Sequence, residues 1–145
     1  GDANRFKFTE PNIAELDFSF SGLKTSVMYF LQAETRKNPD FIQQNINDLC
    51  ASIQRTIIDI LLKKAEKAAK QYGITELALA GGVSANSELR RRFEELGTKN
   101  GWATYIPKFE YCTDNAAMIA ITAYHKYQQG QFTNQEAEPL ARYHI

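Results

Sequence analysis

Residues 77–90 read LALAGGVSANSELR, which joins an apolar run, a glycine pair and the start of a helical pattern. The run Leu77–Ala80 is typical of a short buried strand, and it stops at Gly81 and Gly82. A helical pattern then begins near Ser84. One face of that pattern is apolar, with Leu89, Phe93 and Leu96. The sequence therefore predicts a strand, a tight turn and a helix in direct succession.

A glycine pair between a strand and a helix lets a ligand approach the backbone. Without Cβ atoms, Gly81 and Gly82 can adopt positive φ angles and leave room for a bulky group. A helix that begins nearby offers unpaired N–H groups and a partial positive charge, which suit an anion such as phosphate. Many parallel-sheet proteins turn from strand to helix through glycine without any ligand, so the pattern alone leaves both interpretations open.

The composition limits the classes of function. The chain has 145 residues, enough for one domain with a core, and 43% of them are hydrophobic, which excludes a disordered chain. Lys+Arg and Asp+Glu both number 17, so the formal net charge is zero. A domain that holds nucleic acid by electrostatics alone is normally basic. This chain therefore binds nucleic acid locally, with help, or not at all.

The two cysteines and the hydropathy pattern indicate a cellular compartment. Cys50 and Cys112 lack CxxC or metal-ligand spacing, and we interpret them as reduced thiols, with a single disulfide left open. No apolar run reaches the roughly 18 residues that span a membrane, and no signal peptide is visible. We expect a soluble, cytoplasmic protein with no membrane contact.

The remaining elements follow from apolar periodicity and turn residues. Phe18 and Phe20 alternate with serines, which indicates a short extended segment, and Ser21 is placed to cap the next helix. The further expected elements are a helix that ends at Asn38, a helix over Phe41–Tyr72 stopped by Gly73, a strand over Ala103–Pro107 and a helix over Ala116–Gln129. This order predicts an α/β fold with too few strands for a complete sheet. We therefore expect a piece of a longer protein.

The last expected helix is apolar nearly all round. Its small residues form one side, and its larger apolar residues fill the first turns: Ala116, Ala117, Ala120, Ala123, Met118, Ile119 and Ile121. A helix of this kind needs neighbours on several sides, so we expect it to be buried.

Several polar side chains have both a structural and a functional interpretation. Asp114 follows a strand beside a helix N-terminus, where it either caps the helix or holds a metal or phosphate. Asn86 and Ser84 either cap the helix after the glycines or bind a ligand there. His125 lies eleven residues after Asp114, too far along a helix to share a metal with it, and His144 is more distant still. No HxxxH or HExxH motif occurs, so the chain cannot build a histidine-rich metal site by itself.

Basic side chains form two groups. The lysines at 63, 64, 67 and 70 are either a solvated helix face or a nucleic-acid contact. Arg90, Arg91 and Arg92 stand early in their helix, where the dipole disfavours cations. They are therefore better candidates for phosphate contact than the lysines, and the alternative is an ordinary surface cluster. Lys24 either faces an anion or extends from a partly buried helix.

Three stretches in this order are distinctive together: LDFSFSGLKTSV (16–27), LALAGGVSANSELR (77–90) and YCTDNAAMIA (111–120). They resemble the C-terminal part of the bacterial TsaD family, and the resemblance covers about residues 5–129. These transferases make threonylcarbamoyladenosine in tRNA and were long described as O-sialoglycoprotein endopeptidases, or glycoproteases. The resemblance implies an actin-like ATPase fold (ribonuclease H-like, as in Hsp70 and actin), with two lobes around a nucleotide cleft.

The resemblance also implies roles for individual residues. Gly81 and Gly82 match the glycine pair beside the bound adenylate, and Asn86 matches an asparagine that contacts the nucleotide. Ser84 lies between them and is assigned to the same site. Asp114 matches an aspartate that ligates a catalytic divalent metal, iron or else zinc. The adenylate is the substrate, threonylcarbamoyl-AMP.

The chain departs from the family by what it lacks. The family's metal site also takes two histidines from an HxxxH helix in the N-terminal half, and no such motif is present. We therefore expect one metal ligand and one wall of the nucleotide site here. Residues 1–108 would belong to the second lobe, and residues 109–145 would carry the metal aspartate and a helix that packs toward the first lobe.

The implied reaction moves the threonylcarbamoyl group from its adenylate to the adenosine next to the tRNA anticodon. The implied partners are tRNA, an inactive paralogue and a small ATPase. The chain alone is expected to be inactive, to bind adenylates weakly and to self-associate through its last helix. Two alternatives stay open: an actin-like ATP-binding module of the chaperone or kinase type, and a metallopeptidase.

Overall fold

A computed structural model describes residues 1–10 and 13–138. The elements in this part of the chain are α1 (Ser21–Lys37), α2 (Phe41–Tyr72), β1 (Glu76–Ala78), a 3-10 helix (Gly82–Ala85), α3 (Ser87–Asn100), β2 (Ala103–Tyr105), a second 3-10 helix (Phe109–Tyr111) and α4 (Ala116–Gln128). The α/β class is confirmed. The expected helix bounds hold for α2, and the expected end of α4 is wrong by one residue.

Helix α2 is the central element, because it contributes to both apolar clusters of the core. It ends at Gly73, whose φ of 66° is the left-handed conformation that glycine adopts without strain. The cluster toward α1 contains Phe8, Leu23, Leu49 and Ile60, with Phe6, Val27, Phe30, Leu31, Phe41, Ile53 and Ile57 packed against it. The cluster toward α3 contains Ile58, Leu62, Leu89 and Phe93, with Leu77, Leu79, Leu96 and Ile106 packed against it.

The two strands form a parallel pair, and α3 connects them as a β–α–β unit. The register places Leu77 opposite Thr104, and the strands are shorter than the expected Leu77–Ala80 and Ala103–Pro107. Gly97 lets α3 lie close to β2, since a Cβ at this position would clash with the side chain of Thr104. The unit therefore depends on one glycine inside a helix for its close packing.

The segment before α1 differs from the expectation. Residues 17–20 form no strand, although the rings of Phe18 and Phe20 stack with centroids 6.1 Å apart. Ser21 lies inside α1 and does not cap it, because Phe20 occupies the cap position with no side-chain hydrogen bond. The Ser21 carbonyl instead accepts a hydrogen bond from the Thr25 hydroxyl at 3.0 Å. The cap expectation was wrong because the helix already includes Ser21, and the alternation of phenylalanine and serine does not lead to a paired strand.

The α2 lysines hold the N-terminal segment and neighbouring acids rather than presenting a free basic face. Their contacts are Lys63 with the Glu10 carboxylate (2.7 Å), Lys64 with the carbonyls of Ile13 (2.9 Å) and Glu15 (2.6 Å), Lys67 with the Glu15 carbonyl (3.3 Å), and Lys70 with the Glu66 carboxylate (2.7 Å). Lys63 and Lys70 remain 63% and 60% exposed, so the expected solvated helix face is confirmed, with ion pairs and carbonyl contacts added to it.

Helix α4 is exposed along its whole length. None of its residues is buried, and Ile119 and Tyr127 are 73% and 65% exposed. The apolar sequence of α4 predicts burial, but the described residues do not cover this helix.

Two expectations about the whole chain have structural outcomes. Across residues 1–10 and 13–138, no helix combines the length and apolar character that crossing a membrane requires. Both cysteines are free, with Cys50 exposed and Cys112 buried, so the disulfide that the sequence left open is not formed.

The N-terminal segment gives a pH-dependent prediction. The Asp2 backbone N–H and then the Arg5 guanidinium hold the pKa of Asp48 below its ordinary value of 3.8. A lowered folded pKa contributes stability that is present above the ordinary pKa and lost as the pH falls through the folded pKa. We expect D48N to lower the urea midpoint at neutral pH, and this difference to shrink on acidification below pH 3.8.

The matched control is Glu94→Gln, which neutralises an exposed carboxylate on α3, away from the N-terminal segment. Its urea midpoint should follow that of the wild type at every pH. A D48N difference that is independent of pH would contradict the role of the charged carboxylate.

Candidate functional site

The glycine turn at the carboxyl end of β1 leaves its backbone open. Gly81 has φ 80° and ψ 172°, a conformation that requires glycine. A Cβ built at Gly81 or Gly82 meets no atom of the described residues within 4 Å. The Ser84 N–H donates to the Gly81 carbonyl at 3.0 Å and closes the turn. A bound group can therefore approach this main chain without displacing a side chain.

The helix after the glycines begins later than expected. Residues Gly82–Ala85 form a 3-10 helix, and α3 begins only at Ser87. Ser84 does not cap a helix: it is 1% exposed, and its hydroxyl has no hydrogen-bond partner among the described residues. A buried hydroxyl without a partner is unusual, because desolvating it without a hydrogen bond is unfavourable.

Asn86 caps α3. Its Oδ1 accepts from the Leu89 N–H at 3.0 Å, and its Nδ2 donates to Oε1 of Gln54 on α2 at 2.9 Å. A carboxamide has two N–H donors and two acceptor lone pairs, so one of each stays available after these two bonds. The side chain is thus held in place by α2 and α3 and keeps capacity for a further partner.

Asp114 does not cap α4, so the capping interpretation is wrong for this residue. Asn115 is the cap, and its Oδ1 accepts from the Met118 N–H at 3.1 Å. The Asp114 side chain is exposed, and no hydrogen bond or ion pair to it occurs within residues 1–10 and 13–138. An exposed carboxylate beside a helix N-terminus fits the chemistry of a metal ligand.

The described residues offer no group of three metal-ligating side chains. His125 lies in the last turn of α4, at the opposite end from Asp114, and His144 lies outside the described residues. A metal at Asp114 would need further ligands from elsewhere.

Arg91 and Arg92 are engaged in ion pairs, which corrects the expectation of a phosphate contact. Arg91 pairs with Glu88 and Glu95 on the surface of α3, and Arg92 pairs with Asp59 of α2. The Arg91 hydrogen bond is the main cause that lowers the pKa of the Glu88 carboxyl. The spacing of three and four residues was the sequence signal for the Arg91 pairs, whereas no local signal connects Arg92 with Asp59, 33 residues away.

Arg90 is the residue whose role the sequence did not reveal. Its Nε donates to the Ser84 carbonyl at 2.6 Å, and its Nη2 donates to the Pro107 carbonyl at 2.7 Å. The same Nη2 donates to Sγ of Cys112 at 3.0 Å, and the guanidinium lies 4.0 Å from the centroid of the Phe109 ring. One side chain on α3 therefore contacts both the glycine turn and the segment that leads to Asp114.

An apolar groove of about 760 Å³ lies beside β1. Its walls come from the start of α1, from α2, from β1 and from α3, and the buried Ser84 lines it. The lining residues include Phe18 and Phe20 before α1, Leu23 and Val27 in α1, Ile57 and Leu61 in α2, Leu77 in β1 and Leu79 directly after β1. The groove is lined mainly by apolar side chains, whereas the glycine turn presents open backbone. Ser84 belongs to both.

Comparison with known proteins identifies relatives of the chain. Residues 1–121 match the family model of TsaD, tRNA N6-adenosine threonylcarbamoyltransferase. A protein of that name from Riemerella anatipestifer is 56% identical over 145 residues, all of this chain and 42% of the relative. Proteins of that name from Christiangramia forsetii and Porphyromonas gingivalis are 52% and 51% identical over 99% and 98% of this chain. The chain spans 42% of the length of each of these three relatives.

The Asn86 cap gives a stability prediction. We expect N86A to lower the free energy of unfolding by about 1–2 kcal/mol, because it removes the cap and leaves Gln54 without its donor. N86D keeps an acceptor for the Leu89 N–H, so it should lose less. Urea denaturation of the three proteins measures both effects, and an N86A variant as stable as the wild type would contradict the cap.

Proposed function

Because the chain belongs to the TsaD family of tRNA N6-adenosine threonylcarbamoyltransferases, we propose that the protein transfers a threonylcarbamoyl group to tRNA. The donor is threonylcarbamoyl-AMP, and the acceptor is the amino nitrogen of the adenosine beside the anticodon. That nitrogen attacks the carbamoyl carbon, and AMP leaves. The family match over residues 1–121 carries this proposal. The relatives are named as transferases, which favours transfer over the peptidase and the ATP-binding module.

The adenylate site on this chain consists of the glycine turn and the residues that follow it. The open backbone at Gly81 and Gly82 supports an approach of the nucleotide to the main chain. Asn86 is held by two hydrogen bonds and keeps a donor and an acceptor for the nucleotide. The Ser84 hydroxyl, buried without a partner among the described residues, is assigned to the same wall.

The metal ligand on this chain is Asp114. Its exposed carboxylate fits a divalent cation, iron or else zinc, whose remaining ligands come from outside the described residues. When bound, the cation neutralises charge on the donor oxygens and orients the acyl group. Asn115 caps α4 directly after Asp114 and so determines where the carboxylate stands relative to the helix.

The intact fold is a two-lobed actin-like ATPase, of which residues 1–108 form part of the second lobe. Two features support this. The groove beside β1 is lined mainly by apolar side chains, and further strands of the same sheet would bury them. Helix α4, within residues 109–145, exposes its apolar surface throughout, and it suits packing toward the first lobe. In the chain alone, this face is free to associate with a second copy.

The substrate and partners follow from the family. The protein acts on tRNA in the cytoplasm, together with an inactive paralogue and a small ATPase. The formal net charge of this chain is zero, which supports a role for partner subunits in holding a polyanion.

The metal assignment predicts the phenotype of D114N in the longest form of the protein that its gene encodes. We expect loss of bound metal and a fall in tRNA modification of about 100-fold or more, because even partners outside the coordination shell contribute 10–100-fold. Plasma mass spectrometry measures the metal, and nucleoside mass spectrometry measures threonylcarbamoyladenosine.

The matched control is E110Q, which neutralises an exposed carboxylate four residues earlier and should behave as wild type. A D114N protein with full metal content would overturn the metal assignment. A wild-type protein that forms no threonylcarbamoyladenosine with its partners and the adenylate would overturn the proposed function.

The 145-residue chain alone should bind AMP weakly and transfer nothing, because it contributes one wall of the cleft and one metal ligand. Titration calorimetry with AMP and nucleoside analysis of treated tRNA test this. Robust modification by the chain alone would show that the remaining site is unnecessary.

A further inference from the structure

Arg90 lies between the two halves of the proposed site. Its three hydrogen bonds end on Ser84, which closes the glycine turn, and on Pro107 and Cys112, which belong to the segment before Asp114. Ser84 and Cys112 are 1% and 2% exposed, so both ends of this bridge are inside the protein. We define the residues 107–114 as the aspartate loop.

We propose that Arg90 is a positioning residue that holds the aspartate loop in register with the glycine turn. The proposal rests on the proposed function, since it concerns the relation between the nucleotide wall and the metal ligand. Arg90 has no hydrogen bond to Asp114 or to the glycine pair, and it acts through the Ser84 and Pro107 carbonyls and the Cys112 thiol.

The chemistry of the contacts explains why an arginine is needed. Carbonyl groups at the ends of short elements need hydrogen-bond donors. Here one guanidinium donates to two such carbonyls, those of Ser84 and Pro107. Its donors lie in a rigid plane with fixed directions, so three acceptors on two segments are held at set angles. The Phe109 ring lies against the same guanidinium and adds a cation–π contact. A lysine has the charge but lacks this planar set of donors.

The Cys112 thiol reports on this bridge. It accepts from Arg90, donates to the Lys108 carbonyl at 3.5 Å and is buried. If Arg90 holds the aspartate loop, its loss exposes this thiol even when the rest of the fold is intact. Cys50 is already exposed and serves as an internal reference.

The experiment labels the longest form of the protein with iodoacetamide under native conditions and follows the Cys112 and Cys50 peptides by mass spectrometry. We expect R90K to raise the Cys112 labelling rate about tenfold, because losing buried hydrogen bonds increases local opening by about that factor. The Cys50 rate should not change. Metal affinity should fall about tenfold or more, and turnover should fall while the KM for tRNA stays the same.

Two controls separate positioning from general stability. R91K changes the next residue, whose partners Glu88 and Glu95 lie on its own helix, and should leave Cys112 labelling unchanged. L62A removes a core side chain from α2 and lowers stability without touching the acceptors of Arg90. Cys112 in L62A should be labelled at the wild-type rate in native buffer.

Each outcome decides between the proposals. Equal labelling and equal metal affinity in R90K and R91K would overturn the positioning role. If D114N loses its metal while R90K retains wild-type affinity, the metal assignment stands and the inference about Arg90 fails. If D114N also keeps its metal, the proposed site itself fails, whatever the labelling shows.

Discussion

The structure depends on one helix that buries apolar side chains in two directions. Helix α2 has 32 residues and is about 48 Å long at 1.5 Å per residue. The next longest helix of the described residues, α1, has 17 residues. One set of its side chains packs under α1 and the N-terminal segment, and another packs under α3 and the strand pair. The two clusters share only this helix. Neither the glycine turn nor the aspartate loop would have a fixed position without it.

The candidate site is held mainly by polar bonds across segments. Asn86 joins α3 to α2 through Gln54, and Arg92 joins the same two helices through Asp59. Arg90 then extends the connection from α3 to the loop beyond β2. Helix α3 is therefore more than a crossover between parallel strands, because its first turns carry the side chains that fix the surrounding loops.

Much of the fold was predictable from the sequence, because long periodic segments and glycine stops are strong signals. The bounds of α2 and its end at Gly73 followed directly from apolar spacing and a terminal glycine. The open backbone of the turn was predictable from the glycine pair, while its role in binding a nucleotide stays a prediction. The cap expected at Ser21, and the capping alternative for Ser84, were wrong, because the hydroxyl alone does not show which residue stands at the boundary. Arg90 was grouped with its neighbours as a phosphate candidate or a surface cation, because its acceptors are 6, 17 and 22 residues away and no local pattern connects them.

The exposure of α4 has a thermodynamic consequence. A helix of 13 residues without buried side chains is marginal in water, since nucleation is unfavourable and packing supplies most helical stability. In the proposed two-lobed protein, the ordering of α4 and the burial of its apolar surface would form a single event with a negative heat-capacity change. Asp114 lies at the start of that helix, so its carboxylate would take its final orientation only as the lobes meet. Cation binding and lobe association would then be linked functions, each strengthening the other by the same factor.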